Sequence, residues 1–526
     1  MKTKYSIAIL LSIPLLGLIS GGCQKLNEDP KGSLTPGQYF QTQADLDAAV
    51  AAIYTQYTPD YSFGFTYRMT SYFGSDDLTT DPALNKEPQR EFDELNGTPE
   101  NQSMIDQWQG PWAAIYDANN TLADYHTIPT PDAASLQAVQ QSVGQALFLR
   151  AFGYYYLVRT FGPLPLVLAP LDATARPQRD SVSLIYTAII NDLDSAIAWL
   201  PANWGTVGSS NWQPGRATSG AARSLLADVY LTMTGWPLNQ TGNYAKAAAE
   251  ADTVINSGAY SLLPDYITNF QTNNSVESIF ALQFNVAGGA PERSYGSTNV
   301  PIDEVALDGS TGWDDMYPEI NFYLNAPKCL RTTETFYDTL KLLIPNTTTF
   351  NLVPWNSPLT HAGHPYYKKF RAGLVTGGVG DGVSETNTQI LSIQPSTNKT
   401  MDFIRYPMVL LDYAEASDMA GGGPTSAGYA AINLVRARAG EQPLTPGLSQ
   451  VAFQDSVVFE RAYEFAGENG VRWFDICRFQ LLPQIIAARS PLENPITGTN
   501  PTQKYLSPIP TIDMNNDPNW AQNAGY

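Results

Sequence analysis

Apolar residues recur at helical spacing through two long blocks of this 526-residue chain, and between the blocks the period fades. A chain patterned in this way must bury one stripe of each helix against another helix, which favours stacked or bundled helices. The first block covers residues 43–258. Over residues 44–57, Leu46, Val50, Ile53, Tyr54 and Tyr57 share a helix face, and over 108–125 Trp112, Ile115, Tyr116, Asn119 and Leu122 do the same. Further helices are predicted over 135–161, stopped by Gly162-Pro163, and over 181–200, 218–234 and 244–257. Across 259–402 Gly, Pro, Asn and Thr become dense, and only short strand-like pieces at 278–284 and 389–393 stand out from a loop-rich insert. Helical pattern returns over 403–420, 426–439, 451–468 and 473–488, before a Pro- and Asn-rich extended tail over 491–526.

Several of these helices follow one another as antiparallel pairs with small residues at the crossings. The pair 217–234 and 244–257 carries Ala221, Ala222, Ala227, Ala245, Ala247, Ala248 and Ala251; 403–420 and 426–439 form another. Small side chains allow the close approach of tetratricopeptide-like pairs, although no clean 34-residue repeat runs through the chain. The expected fold class is therefore all-α dominated, a degenerate tetratricopeptide-like helical-pair scaffold, with residues 38–526 as a single domain.

The first residues bear on compartment. Lys2 and Lys4 precede an apolar stretch over 7–19, too short for a bilayer span and suited to the core of a secretory signal. Ser20, Gly21 and Gly22 lead into Cys23, as in a lipoprotein signal cleaved before an acylated cysteine, although Ser20 stands where an aliphatic residue is usual. The alternative is a plain secretory signal with a coincidental cysteine. Residues 1–22 are read as the signal peptide, Cys23 as the lipid anchor, and 23–37, rich in Pro and Gly, as a flexible tether. Thirty basic against fifty acidic residues give a formal charge of −20, which repels phosphate backbones and argues against nucleic acid as a partner. It also disfavours adsorption to anionic lipid, leaving the acyl chains as the membrane attachment. Cys329 and Cys477 are equally compatible with a pair or with two free thiols.

Five segments resemble the SusD/RagB family, in the family's order. They are Trp112-Ala-Ala-Ile115-Tyr116 with Asn119-Asn120; Arg150 to Val158 leading into Phe161-Gly162-Pro163; Gly215-Arg216-Ala217-Thr218 followed by Leu225 to Leu231; Arg405-Tyr406-Pro407 with Tyr413-Ala414-Glu415-Ala416 and Ile432 to Gly440; and Glu460-Arg461, Glu464, Glu468 with Arg472 to Phe479. The tail adds Tyr505 to Pro510 and Gln522 to Tyr526. Two departures are an extra residue between Glu468 and Arg472, and Ala524 in place of a proline. The resemblance implies a glycan-binding lipoprotein of the outer membrane, facing the cell exterior and acting as a hinged lid that delivers oligosaccharide to a SusC-like TonB-dependent barrel. It also implies a ligand site on the loop-rich face. Peptides or another polymer are the alternative cargo, and a glycoside hydrolase on a helical frame ranks last.

The residues offer little for catalysis. Glu460, Glu464 and Glu468 at i, i+4 and i+8 repel one another on a helix face unless cations meet them, and Arg436, Arg438, Arg461, Arg472 and Arg478 are available. A structural ion network is preferred to a carboxylate active site. His361 and His364 have a metal-compatible spacing but no adjacent third ligand, so they are read as solvated loop residues; no metal or cofactor is expected. Asp76-Asp77 and Asp314-Asp315 serve as a glycosidic acid/base pair only if space brings two carboxylates together. Tyr154 to Tyr156, Trp112 and Tyr116 are expected in the core. Ten Trp and 29 Tyr exceed what helix packing needs, and aromatic faces stack on sugar rings. Loop position nominates Tyr67, Tyr72 and Phe73 with Asp76 and Asp77; Trp313, Asp314 and Tyr317; and Trp355, Tyr366 and Tyr367. This reading requires that alanine at both Trp313 and Trp355 weakens ligand binding.

Overall fold

The structure, a computed structural model, describes residues 40–285, 296–371 and 390–526 except 173, 207, 391 and 394. The signal peptide, Cys23 and the tether lie outside the described residues. Six long helices arise from the first block: α1 (Gln43–Thr55), α2 (Gln102–Asp124), α3 (Ala133–Phe161), α4 (Val182–Trp199), α5 (Ser219–Met233) and α6 (Tyr244–Asn256). Four more come from the second: α7 (Tyr406–Gly421), α8 (Ser426–Arg438), α9 (Gln450–Glu464) and α10 (Val471–Phe479). Most start where a short polar side chain receives an otherwise orphaned N–H. Thr42 and Asp132 close capping boxes, and Asn101, Ser181, Thr218, Thr425 and Ser449 cap α2, α4, α5, α8 and α9.

Helix α3 is the axis of the first block. From Ser142 to Val158 every residue is buried, because α1, α2 and α4 pack around it. Tyr154, Tyr155 and Tyr156 lie in this core with their hydroxyls bonded to Val167 O, Asp228 and Asn469 O. Gly162 at φ 74° ends the helix. Tyr116 departs from expectation: α2 turns it outward, and it is 61% exposed. Helix α6 lies between α5 and α7, and α7 packs on α8 and α9, so the small-residue pairs meet as their spacing predicts. This is a tetratricopeptide-like helical arrangement.

Three two-stranded sheets are described. β1 (Ser278–Leu282) pairs antiparallel with β6 (Met401–Arg405), β2 (Phe336–Tyr337) with β5 (Tyr366–Tyr367), and β3 (Thr339–Leu343) with β4 (Phe350–Pro354). Residues 403–405, expected as the start of a helix, are the end of β6; the helix begins beside Pro407, whose fixed φ and missing N–H suit a first turn. The strand expected at 389–393 falls partly outside the described residues, and Ile390 and Ile393 are buried without forming one. The expected helix over 473–488 breaks at Gln480, which adopts φ 55°, and resumes as Leu482–Ala488. Both remaining cysteines are free; buried Cys477 donates to Tyr505 O.

Glu468 is likewise not on the helix that carries Glu460 and Glu464. Helix α9 stops at Glu464, and the chain turns through Gly467 (φ 73°), Asn469 (φ 46°) and Gly470 (φ 76°). The turn brings Glu468 to the same cations from another direction. Arg331 reaches Glu460 at 2.5 Å and Glu464 at 3.1 Å; Arg405 reaches Glu277 at 2.7 Å and Glu464 and Glu468 at 2.9 Å each. Arg438 bridges Glu277 and Glu464, Arg436 meets Glu460, and Lys369 meets Glu468 at 2.5 Å. Arg436 and Arg438 thus act as expected. Arg461 and Arg478 instead hold Asp475 and the α7 carboxylates Asp412 and Glu415, and Arg472 holds Asp76. Arg331 and Lys369 come from the insert and Arg405 from β6, all unforeseen.

This network sets an acid limit. Burial alone would raise the Glu464 carboxyl, but the guanidiniums of Arg438, Arg405 and Arg331 override it and lower the pKa from 4.5 to about 2. A depressed carboxyl contributes stability that is fully present above its unfolded pKa and is lost as pH falls through the folded one. Stability measured by urea unfolding is therefore expected to fall between about pH 4.5 and about pH 2. The gap between the native chain and Glu464→Gln should narrow over that window; a constant gap would refute this account.

Candidate binding groove

Most of the aromatic residues nominated by loop position turn inward. Tyr72 and Phe73 are fully buried: the Tyr72 hydroxyl lies 2.8 Å from Thr160 Oγ1, and its ring meets Phe474 edge-on. Tyr366 and Tyr367 make β5, with the Tyr366 hydroxyl donating to Asp314 and that of Tyr367 to the Asp77 carbonyl. Tyr317 is buried, exchanges backbone hydrogen bonds with Thr79 and stacks on His364. These rings therefore present no face to a sugar. The physical reason in the insert is that it lacks periodic aliphatic residues, so tyrosines fill its interior, with the Tyr366 and Tyr367 hydroxyls bonded and that of Tyr317 buried without a partner. Trp313 and Trp355 remain half-buried, against Phe65 and Tyr323 respectively. The side chain of Tyr67 lies outside the described residues.

The acidic candidates are also engaged. Both Asp76 oxygens are held by Arg472 at 2.7 Å. Asp77 is buried, accepts from Ser75 Oγ and Gly467 N, and burial pushes its pKa up to about 6. Asp314 is buried too, and burial raises its pKa to about 7. His364, expected in solvent, is buried with Nε2 3.0 Å from Glu493.

An open groove lies elsewhere, where the connection from α4 to α5 meets residues 257–260 and the start of β1. A cavity of about 620 Å³ is lined by the rings of Trp204, Trp212 and Tyr260, with Asn203, Gln213, Arg216 and Asn274 among them. A second cavity of about 300 Å³ shares Pro214, Gly215 and Arg216 and continues to Tyr54, Gln283 and Asn285. The walls are fixed from behind. Trp204 Nε1 donates to Ala217 O at 2.7 Å, and the Arg216 guanidinium lies 3.5 Å from the Trp204 ring centroid. Arg216 also donates to Gln145 and Gln213, and Asn274 and Gln283 exchange amide hydrogen bonds at 2.9 Å. Gly215 sits at φ 83°, and a Cβ there would come within 2.5 Å of Gln283 Cγ, so glycine is required where the two cavities meet. Half-exposed rings beside carboxamides and a guanidinium suit stacking plus hydrogen bonding to hydroxyl groups. The sequence signal was Asn211-Trp212-Gln213-Pro214-Gly215-Arg216. It lies in an irregular stretch of the helical block, from which loop position nominated only Tyr67 to Asp77.

Paired helices with little sheet, carrying a rigid polar-aromatic groove, define a tetratricopeptide-like scaffold. A family model described as the SusD family matches residues 390–526, and one described as starch-binding associating with outer membrane matches residues 33–231. SusD-like protein P2 of Formosa agariphila is 27% identical, with 99% of this chain and 100% of that protein covered. The crystal structure of a SusD homolog from Bacteroides thetaiotaomicron superposes with a TM-score of 0.77 at 20% identity, covering 93% of this chain and 98% of that one. Surface glycan-binding protein A from Bacteroides thetaiotaomicron, in complex with laminarihexaose, superposes with a TM-score of 0.71 at 19% identity, covering 92% and 100%. The chain belongs to the SusD family.

Proposed function

We propose that this protein is a glycan-binding lipoprotein of the outer-membrane surface that hands its ligand to a SusC-like TonB-dependent barrel. Residues 1–22 serve as its leader, Cys23 carries the lipid, 23–37 form the tether, and 38–526 act as one body. The observation that carries the reading is the groove of Trp204, Trp212 and Tyr260 with its amides and Arg216. Its chemistry matches neutral hydroxyl-rich rings. Support comes also from the shared fold of the laminarihexaose-bound surface glycan-binding protein A and from the outer-membrane association in the matched family description. Binding is preferred to catalysis because Asp76 is held by Arg472, Asp77 accepts from Ser75 and Gly467, and Asp314 is buried and anchored by Ile302 N and the Tyr366 hydroxyl.

The test is native affinity electrophoresis through gels carrying a panel of neutral and acidic polysaccharides. Retardation by one or a few glycans is expected; migration unaffected by every glycan would remove the sugar reading and favour peptide cargo. Gentle detergent extraction is expected to bring a barrel partner with the chain, and solitary extraction would count against delivery. Trp313 and Trp355 stay as candidates for a second contact, so their double alanine variant belongs in the same gels.

A further inference from the structure

The loop-rich insert meets the helical frame at a cluster that the glycan groove does not use. Thr79 and Tyr317 exchange backbone hydrogen bonds, at 2.9 and 3.1 Å, and this bridge sets Asp81 beside Asp314. The connection from β4 to β5 brings His361 to the same point. One carboxylate oxygen of each aspartate and a ring nitrogen of His361 all lie within 4.8 Å of one another. Each carboxylate is anchored through its other oxygen by neutral donors. Asp81 Oδ1 accepts from Ala83 N at 2.6 Å, and Asp314 Oδ1 accepts from Ile302 N at 2.9 Å and the Tyr366 hydroxyl at 3.0 Å.

What remains is unusual for a solvated loop. Asp314 is 2% exposed and its Oδ2 has no hydrogen-bond partner; Asp81 is 3% exposed, and its Oδ2 faces His361 Nε2 at 2.8 Å. Asp303 adds a third carboxylate by accepting from the His361 backbone N–H. A buried carboxyl oxygen without a partner is costly, and three carboxyl groups here gather around one imidazole. His361 remains 54% exposed at its side chain, so the cluster opens to solvent on one side.

We propose that Asp81, Asp314 and His361 bind a divalent metal ion that fastens the insert to the helical frame. The mixed set of two carboxylates and one imidazole suits Zn²⁺ or Mn²⁺; Ca²⁺ and Mg²⁺ prefer all-oxygen sites. An open side leaves room for water to complete the coordination. The three ligands come from sequence positions more than 200 residues apart at the extremes, so the ion would act as a cross-link. This site is independent of the glycan reading.

The test is calorimetric titration of the chain, purified without a polyhistidine tag and stripped by chelator, with ZnCl₂, MnCl₂ and CaCl₂ separately. One Zn²⁺ or Mn²⁺ per chain is expected, with a rise in Tm. Loss of a mere partner to a metal ligand costs roughly 10–100-fold in affinity, so His361→Ala and Asp314→Asn should each weaken binding by at least about 100-fold. His361 is 54% exposed at its side chain, so His361→Ala is expected to keep the native far-UV circular dichroism, which separates loss of binding from loss of structure. Absence of binding by either ion, binding that survives both substitutions, or binding of Ca²⁺ alone would each overturn the proposal.

Discussion

Arg405→Ala is expected to destabilise the protein by about 3–5 kcal/mol, the loss typical when one member of a buried ion cluster is removed. Arg405 is 1% exposed and contacts Glu277, Glu464 and Glu468, themselves at most 5% exposed. Arg438, Arg331 and Lys369 still reach those acids, so the carboxylates would not be wholly stranded. Their combined positive charge falls by one, however, and the Nε and Nη2 bonds to Glu468 and to the Glu464 carbonyl disappear. Residue 405 also ends β6 and precedes α7, so the site lies where strand, helix and insert join. Chemical denaturation measures the effect. Arg405→Lys, which keeps the charge but not the fork of donors, should fall between the two. A loss below about 1 kcal/mol for the alanine variant would mean that the network adds little to stability.

The second large effect is expected in ligand binding. Trp204→Ala combined with Trp212→Ala should abolish retardation by whichever glycan slows the native chain. Truncating an aromatic anchor at the centre of a site costs about 2 kcal/mol or more, roughly thirtyfold in Kd. Trp204 is tied to Ala217 and covered by Arg216, so its loss also loosens the wall. Trp212 has no such bracing role and its ring is half-exposed, so Trp212→Ala alone is the cleaner test. Far-UV circular dichroism and Tm should be unchanged for that single variant while binding weakens at least tenfold. If Trp212→Ala binds normally and the Trp313→Ala/Trp355→Ala variant does not, the ligand sits on the insert instead.

The helical frame was legible because its signals are local. Capping residues, apolar spacing and the alanine crossings of α5 and α6 all act within a few turns. Helix boundaries differed at Tyr406, Glu464 and Gln480, where a proline, a glycine-flanked turn and a left-handed residue interrupt the pattern, and at α2, which Asn101 caps at Gln102 ahead of the expected start at 108. Glu460 and Glu464 announced a need for cations. Their main partners, Arg331 and Arg405, lie 129 and 59 residues away from these acids in the contacts they make, and no periodicity links them. The aromatic candidates illustrate the other gap. Irregular sequence predicts exposure only when helices supply the core, and in the insert Tyr317, Tyr366 and Tyr367 are the core. The groove was hidden for the opposite reason: Trp204 and Trp212 lie in a short irregular stretch between two strongly patterned helices.

The buried charge network bears on how such a molecule resists proteolysis. Glu277, Arg331, Arg405, Arg438 and Glu460 to Glu468 come from the insert, from β6 and from both flanking helices, and none has its full complement of opposite charges until all are assembled. Peeling one segment away would leave ionised groups facing an apolar interior, so partial opening there is nearly as unfavourable as complete unfolding. Cleavage in this region then depends on the rare global excursion, and the chain is presented to a protease either whole or not at all.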